Sequence, residues 1–323
     1  MSTILVTGGA GFIGSASVKE LLRAGHRVAV MDDLSSGRAE QVPPEAELFV
    51  ADVADAEAVR EVFAAVRPEG VLHLAAQISV SRSVREPAED ARVNVLGLLR
   101  VLEAARASRV GRLVFASSGG VLYGDVGEPA TEEHPLAPVS PYGIAKWTGE
   151  RYLEFFAREY GLETVALRYG NVYGPRQDPH GEAGVVAIFS GRLLRGEAPQ
   201  IHGDGENVRD YVYVEDVARA NRLALETAGG QLWPAGGPPF AALNVGTARG
   251  TSVNRLEALM RRALAEVAAV EAPPAVHGEP RPGDLRSSLL DPGRIERALG
   301  WRPQVPLEEG LDRTLRWFAE DGE

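Results

Sequence analysis

A chain of 323 residues without a single cysteine has no disulfide, no thiolate nucleophile and no cysteine-held metal. Its six histidines show no ligand-like pairing, so no metal site is expected. Lysine is nearly missing as well: of 34 basic residues only Lys19 and Lys146 are lysines, and arginine takes the other positions. Positive charge is short overall. A formal net charge of -11 argues against nucleic acid or an anionic membrane as partner, because both need a basic surface to displace counterions or meet lipid charge. Any anionic ligand must then be held by a few local groups. No apolar run approaches bilayer-spanning length, and MSTILVTGG runs into a strand with neither a basic segment nor a cleavage site. Together these predict a soluble, cytoplasmic protein.

What the chain has is apolar residue, 45% of it, enough to bury one large α/β domain and a smaller appendage. The strand-like runs TILVTG, RVAVMDD, ELFVADV, GVLHLAA, RLVFASS and ETVALRYGNVYG alternate with helical stretches. Those stretches, SASVKELLRAG, AEAVREVFAAV, VNVLGLLRVLEAARAS and YGIAKWTGERYLEFFAREYG, carry apolar residues at helical spacing. Such alternation predicts an α/β fold, a Rossmann-type, doubly wound parallel sheet covered on both faces. After about residue 175 the pattern changes, with prolines and glycines frequent in GPRQDPHGEAG, GGPPF and GEPRPGD. We expect a first domain over 1–170 and a smaller C-terminal α/β region over 171–323, some of whose segments return to the first.

Between the first strand and the first helix, Gly9, Gly11 and Gly14 stand in G-x-G-x-x-G register. Glycines there allow a tight turn, the approach of backbone to a pyrophosphate and close helix–strand packing, with the helix N-terminus facing the negative charge. Asp32 ends the second strand at about the 20-residue distance such a site calls for. Its carboxylate accepts from both ribose hydroxyls and repels a 2′-phosphate, which favours NAD over NADP. Asp52 and Val53 end the third strand and either bracket the adenine or form an ordinary loop pair.

Ser140 followed by Pro141 signals a helix start, serine as the cap and proline in the first turn. Tyr142 and Lys146 then lie at i and i+4 and project from one face. A nearby ammonium and the positive helix end both favour the phenolate of a tyrosine whose ordinary pKa is about 10. Lysine, a compact charge on a flexible stem, can reach ribose and phenolate together where the broad guanidinium fork cannot. In FASSGGVLYG, after a strand predicted to end at the carboxyl edge of the sheet, Ser118 is placed to hydrogen-bond a substrate hydroxyl, with Ser117 the less favoured choice.

With TGGAGFIG, HLAAQ, SSGGVLYG, PYGIAK, RYGNVYGPRQDP, GDGENVRDYVYVEDVA and RPGDLRSSLLD in this order, nearly the whole chain resembles the extended short-chain dehydrogenase/reductase family. Within that family it is most similar to the 4-epimerases of UDP-glucose and UDP-galactose. The resemblance implies NAD retained through the cycle and held by Gly8, Gly11, Phe12, Ile13, Gly14, Asp32, Asp52, Val53, Leu74, Ala75, Ala76, Asn94 and Lys146. It implies Tyr142 as the base at the sugar 4-hydroxyl, assisted by Ser118 and tuned by Lys146, with a 4-keto sugar that turns over and is reduced on its other face. For the UDP-sugar it implies Asn171 at the diphosphate or sugar, Arg209 and Arg281 at the diphosphate, Asp284 at the uridine ribose, and Gln200 to His202 at the uracil edge.

Dehydratases of this kind place Asp-Glu after the catalytic hydroxyl residue, and the related decarboxylases a glutamate. Here Gly119 and Gly120 stand there, which favours epimerisation over elimination. Ser288 falls where some members have a tyrosine narrowing the sugar pocket, which implies room for UDP-N-acetylglucosamine. An epimerase of UDP-glucuronate or of UDP-N-acetylhexosamines is the alternative, and an NAD-sensing protein without turnover the more distant one. The helical stretches near 90–107 and 142–160 pair either with their copies in a homodimer, as the resemblance suggests, or inside the monomer.

Overall fold

A computed structural model describes residues 1–179, 184–233, 235–268, 270–281 and 283–320. The first half forms β1 (Thr3–Thr7), α1 (Phe12–Arg23), β2 (Arg27–Asp32), β3 (Glu47–Val50), α2 (Ala56–Val66), β4 (Gly70–His73), α3 (Val80–Arg85) and α4 (Pro87–Ala91). There follow α5 (Leu98–Ala107), β5 (Arg112–Ser118), α6 (Gly119–Leu122), α7 (Pro141–Tyr160) and β6 (Glu163–Tyr169). The second half adds β7 (Asn171–Tyr173), α8 (Val185–Leu194), β8 (Gln200–His202), β9 (Val208–Tyr213), α9 (Val214–Glu226), β10 (Phe240–Val245) and β11 (Gly250–Ser252). It ends with α10 (Val253–Val267), β12 (Val276–Gly278), β13 (Ser287–Ser288), α11 (Gly293–Leu299) and α12 (Leu307–Glu320).

Seven strands make a parallel sheet in the order β10-β6-β5-β4-β1-β2-β3. Because side chains alternate along a strand, Ile4 and Val6 face one core with Val18, Leu21 and Val217, while Leu5 faces the other with Phe63, Leu102 and Leu153. Helices α1 and α9 thus cover one face, and α2, α5 and α7 the other. The order runs outward in both directions from β1 and β4, and that reversal opens a crevice at their carboxyl ends.

The expected start of α7 holds locally. Ser140 Oγ accepts from Gly143 N at 3.1 Å and Pro141 occupies the first turn of α7, which ends on Gly161 at φ +69°. The run 163–174, read as one strand, divides at Gly170. A side chain at that residue would lie 2.9 Å from Asp210 O, so only glycine lets β6 stop beside β10 and β7 begin beside β9 in a second sheet. That sheet, β11-β9-β13 with β7 also on β9, carries a third core in which Tyr173, Phe189, Tyr211, Met260 and Leu315 meet α8, α10 and α12. The helix read from Val93 opens as a π turn over Arg92–Gly97 that leads into α5, with α3 and α4 ahead of it. Part of the GPRQDPHGEAG connection, 180–183, lies outside the described residues.

Candidate active site

At the crevice, Gly8 has φ +70° and its Cβ would lie 2.6 Å from Ala75 N, so β1 and β4 approach to backbone contact. A side chain on Gly14 would run into the Gly8 carbonyl, which is why α1 sits directly against the turn. Helices α2, α7 and α10 are capped by Asp55, Ser140 and Ser252, while α1, like α8, α9 and α11, begins without a side-chain cap, at Gly11. Its first amides, those of Phe12, Ile13 and Gly14, are left as donors for an anion. This cradle fits a dinucleotide pyrophosphate.

Asp32 is 6% exposed and accepts from Ala10 N and Leu34 N, both at 2.9 Å. Burial pushes its carboxyl up, and the two amide bonds pull it back. β3 stops at Val50, so Asp52 and Val53 do not end the strand but follow it in the connection to α2; Asp52 is tied to Arg92 Nη1 at 2.9 Å and to Ala54 N at 2.7 Å, with Val53 buried beside it. Leu74 N bonds Thr7 O at 3.0 Å and Ala75 N reaches Thr7 Oγ1 at 3.3 Å, so the chain through Ala76 follows the end of β1. Asn94, turned inward by the π turn, accepts from Gln77 N at 3.0 Å and donates to Gln77 O and Asp90 Oδ1 at 2.9 Å each.

Ser118 ends β5 across from Tyr169. A Cβ on Gly120 would lie 3.9 Å from both Ser118 Oγ and Asn171 Oδ1, so these two polar groups converge over a residue with no side chain. Ser117 turns the other way and donates to Glu150, which leaves Ser118 as the serine facing the crevice. Lys146, 4% exposed, donates to Ala116 O at 2.8 Å, and its Nζ lies 5.6 Å from the centre of the Tyr142 ring. The ammonium therefore stands beside the phenol while anchored to the strand. Burial lowers the Lys146 pKa to about 8 against the opposing charge of Asp90. Burial, and then Asp90, push the Tyr142 phenol up, so in the NAD-free chain the expectation that Lys146 and the helix start favour the phenolate does not hold: the loss of solvation outweighs them.

On the other side of the crevice, Asn171, Arg209 and Ser288 lie on β7, β9 and β13 of the second sheet, with Ser288 in register with Arg209. Arg209 Nη2 meets Asp284 Oδ1 at 2.5 Å, and Asn207 Nδ2 meets Asp284 Oδ2 at 2.8 Å. Gln200 and His202 stand on β8, which pairs with β12 just before the exposed Arg281. The structure thus groups Arg209, Asp284 and Ser288, and holds Gln200 and His202 on a separate two-stranded ladder.

Several polar residues around the site escaped the sequence reading. Asp90 is 2% exposed and receives Gln77 Nε2 and Asn94 Nδ2 at 2.9 Å each. His73, pushed down to about 3 by burial and then by Lys146, is a neutral ring stacked on Phe115 and bonded to Thr7. Asp210 gathers Thr247 N, Thr247 Oγ1, Ala248 N and Leu290 N, fastening β9 to the ends of β10 and β13. Only Glu150, one turn beyond Lys146, had a visible signal: its i+8 spacing from Tyr142.

The family model described as "NAD dependent epimerase/dehydratase family" matches residues 4–236. The chain is similar to the UDP-glucose 4-epimerase of Mycolicibacterium smegmatis, at 48% identity over 322 residues and 97% of each chain. Among solved structures, the UDP-glucose 4-epimerase of Thermotoga maritima with UDP-glucose is similar at TM-score 0.90 and 50% identity, over 98% of both chains. The UDP-glucose 4-epimerase of Thermus thermophilus in complex with NAD is similar at TM-score 0.88 and 48% identity, over 99% of both.

Proposed function

Because the chain belongs to the NAD dependent epimerase/dehydratase family, we propose that it is a 4-epimerase interconverting UDP-glucose and UDP-galactose through a 4-keto sugar. The observation that carries this reading lies at positions 119 and 120. Gly120 adjoins Ser118 Oγ and Asn171 Oδ1, and a side chain on Gly119 would strike Leu290 at 2.5 Å. No acid stands there to protonate a leaving hydroxyl, so oxidation at the sugar C4 leads back to a hydroxyl and not to elimination.

The glycine turn, the open start of α1 and Asp32 would hold NAD, which would supply the acceptor for the C4 hydride and, once reduced, the donor that returns it, with a positive nicotinamide ring in the oxidised form. Tyr142 takes the proton of the sugar 4-hydroxyl and later returns one to the 4-keto oxygen. Ser118 hydrogen-bonds that oxygen in both states. Lys146 holds a positive charge beside the phenol, and its bond to Ala116 O keeps the charge there. Arg209 and Arg281 take the diphosphate, Asp284 the uridine ribose, Gln200 and His202 the uracil edge, and Asn171 the sugar side of the diphosphate. Residues 1–170, with the returning α9 and β10, form the cofactor-holding unit, and the rest of 171–323 the sugar-nucleotide region.

Ser288 supports UDP-N-acetylglucosamine as a second substrate: it is small, 5% exposed and paired in register with Arg209. Among the described residues no helix is long and apolar enough to cross a membrane, and we place the protein in the cytoplasm. Its assembly is a homodimer. Ile144, Trp147 and Phe155 recur along α7 at 50%, 40% and 39% exposure, an apolar stripe suited to a second copy.

The test is to incubate the purified protein with UDP-galactose and no added NAD and to resolve the products by chromatography. UDP-glucose should appear, and Tyr142→Phe should lose turnover by on the order of 10²–10⁴-fold while still binding NAD. No product even after NAD is supplied would reject the reading.

A further inference from the structure

The chemistry above leaves unused a polar network that lies next to the catalytic groups. Ser117 precedes Ser118 on β5, Glu150 follows Lys146 by one turn of α7, and Arg168 faces Ser117 across the β5–β6 ladder. All three are buried, and the Glu150 side chain is 0% exposed. The Ser117 hydroxyl donates to Glu150 Oε1 at 2.6 Å. Arg168 grips the same carboxylate from two nitrogens, Nε to Oε1 at 2.9 Å and Nη2 to Oε2 at 2.6 Å. Its Nη1 continues to the Tyr123 hydroxyl at 2.7 Å, which donates to Asn244 Oδ1 on β10 at 2.7 Å.

Stability alone gives little reason for charges in this place, since apolar residues of similar volume often serve as well as a buried ion pair. What a two-point guanidinium–carboxylate contact adds is fixed geometry. Tyr142, Lys146 and Glu150 stand at i, i+4 and i+8 on one face of α7, and that face touches β5 at consecutive residues. Lys146 bonds Ala116 O, and Glu150 bonds Ser117 Oγ. These two contacts tie α7 to the strand end that carries Ser118 at two successive turns.

We propose that Glu150, clamped by Arg168 and joined to Ser117, is a positioning residue that holds α7 against the end of β5, so that Tyr142 and Lys146 meet the hydroxyl bound by Ser118. The kinetic side of this rests on the epimerase reading. Ser117→Ala removes one bond to Glu150 and leaves the ion pair whole, so the chain should fold. A misplacement of about 1 Å costs roughly 10²-fold in rate. A single lost contact should therefore lower kcat by about tenfold, with KM for UDP-galactose within about twofold. Glu150→Gln alone would strand Arg168 as a buried cation; the second variant is therefore Glu150→Gln with Arg168→Gln, expected to lower kcat about 100-fold.

A readout without substrate is the ultraviolet difference titration of the Tyr142 phenol in the NAD-loaded protein, with Tyr142→Phe as the blank. Tyr142 faces Lys146 of its own helix, Asp90 of α4 and Tyr169 of β6, with His73 of β4 behind Lys146, and Ser117→Ala alters none of them. A displaced helix changes both the burial of the phenol and its distance from Lys146 and Asp90, so the phenol should titrate at a different pH in the variant. Lower kcat at unchanged KM together with a shifted phenol titration would support the proposal. Folded, NAD-loaded variants with the parent kcat and phenol titration would overturn it, even if they melt at lower temperature, because the network would then be structural only. If the parent protein turns over no UDP-sugar, the epimerase reading falls, and the phenol titration still decides the role of Glu150.

Discussion

Arg209 and Asp284, 75 residues apart, form an ion pair of 2.5 Å that joins the central strand of the second sheet to the segment before β13. Their exposures differ: the Arg209 side chain is 15% exposed and that of Asp284 38%. Removing the guanidinium leaves a carboxylate that water can solvate, so Arg209→Met should fold. A charge-assisted hydrogen bond to the diphosphate contributes about 1.5–3 kcal/mol, roughly 10- to 100-fold in affinity. We expect KM for UDP-galactose and the inhibition constant of UDP to rise by that factor, with kcat changed less. Steady-state kinetics with UDP as competitor would show it, and an unchanged UDP affinity would remove Arg209 from the diphosphate site.

Lys146 makes stability depend on pH. Its folded pKa of about 8 lies below the ordinary 10.5, so between those values the unfolded chain binds more protons than the folded one. Stability should therefore rise with pH across that window, and the cost of burying the charge is fully present below it. In the NAD-free protein, Lys146→Met should be the more stable form at pH 7, by up to about 3 kcal/mol, while losing turnover. The difference should close as the pH approaches 10.5. Urea denaturation of both proteins across the range measures this, and a difference independent of pH would contradict it.

Ser288→Tyr should place a bulky ring beside Arg209. Activity on UDP-N-acetylglucosamine should fall relative to that on UDP-glucose by on the order of tenfold or more. If the ratio of the two activities stays where it was, Ser288 does not control access to the sugar pocket.

Trp147→Glu places a charge in the middle of the apolar stripe on α7. Light scattering should give the mass of two chains for the parent and of one for the variant, with unchanged circular dichroism. A monomeric parent would leave Ile144, Trp147 and Phe155 as ordinary surface residues.

Legibility in the sequence followed the range of the interaction. Ser140 and Pro141 announced α7 because a cap acts within three residues, and the strands through β6 showed themselves by runs of apolar residues. The glycine turn was legible for the same reason. Gly170 was not, since the residues on either side read as strand and the break depends on Asp210, 40 residues on. Asn94 was placed at the cofactor site by resemblance alone; what turns it inward is a π turn and its bonds to Gln77 and Asp90. The pairings of Arg209 with Asp284 and of Glu150 with Arg168 join residues of different elements, and only the tertiary fold brings these charges together.

At Gly170 one backbone leaves the seven-stranded sheet and enters the second within a single residue, and β10 later comes back to close the edge of the first. Neither half of the chain is thus a transferable module. A hybrid joined at 170/171 would carry a foreign edge strand beside β6 and a foreign partner for β7. The portable unit for recombination is the set 163–173, 208–213 and 240–245 taken together, and sequences exchanged between relatives should be inherited across all three or across none.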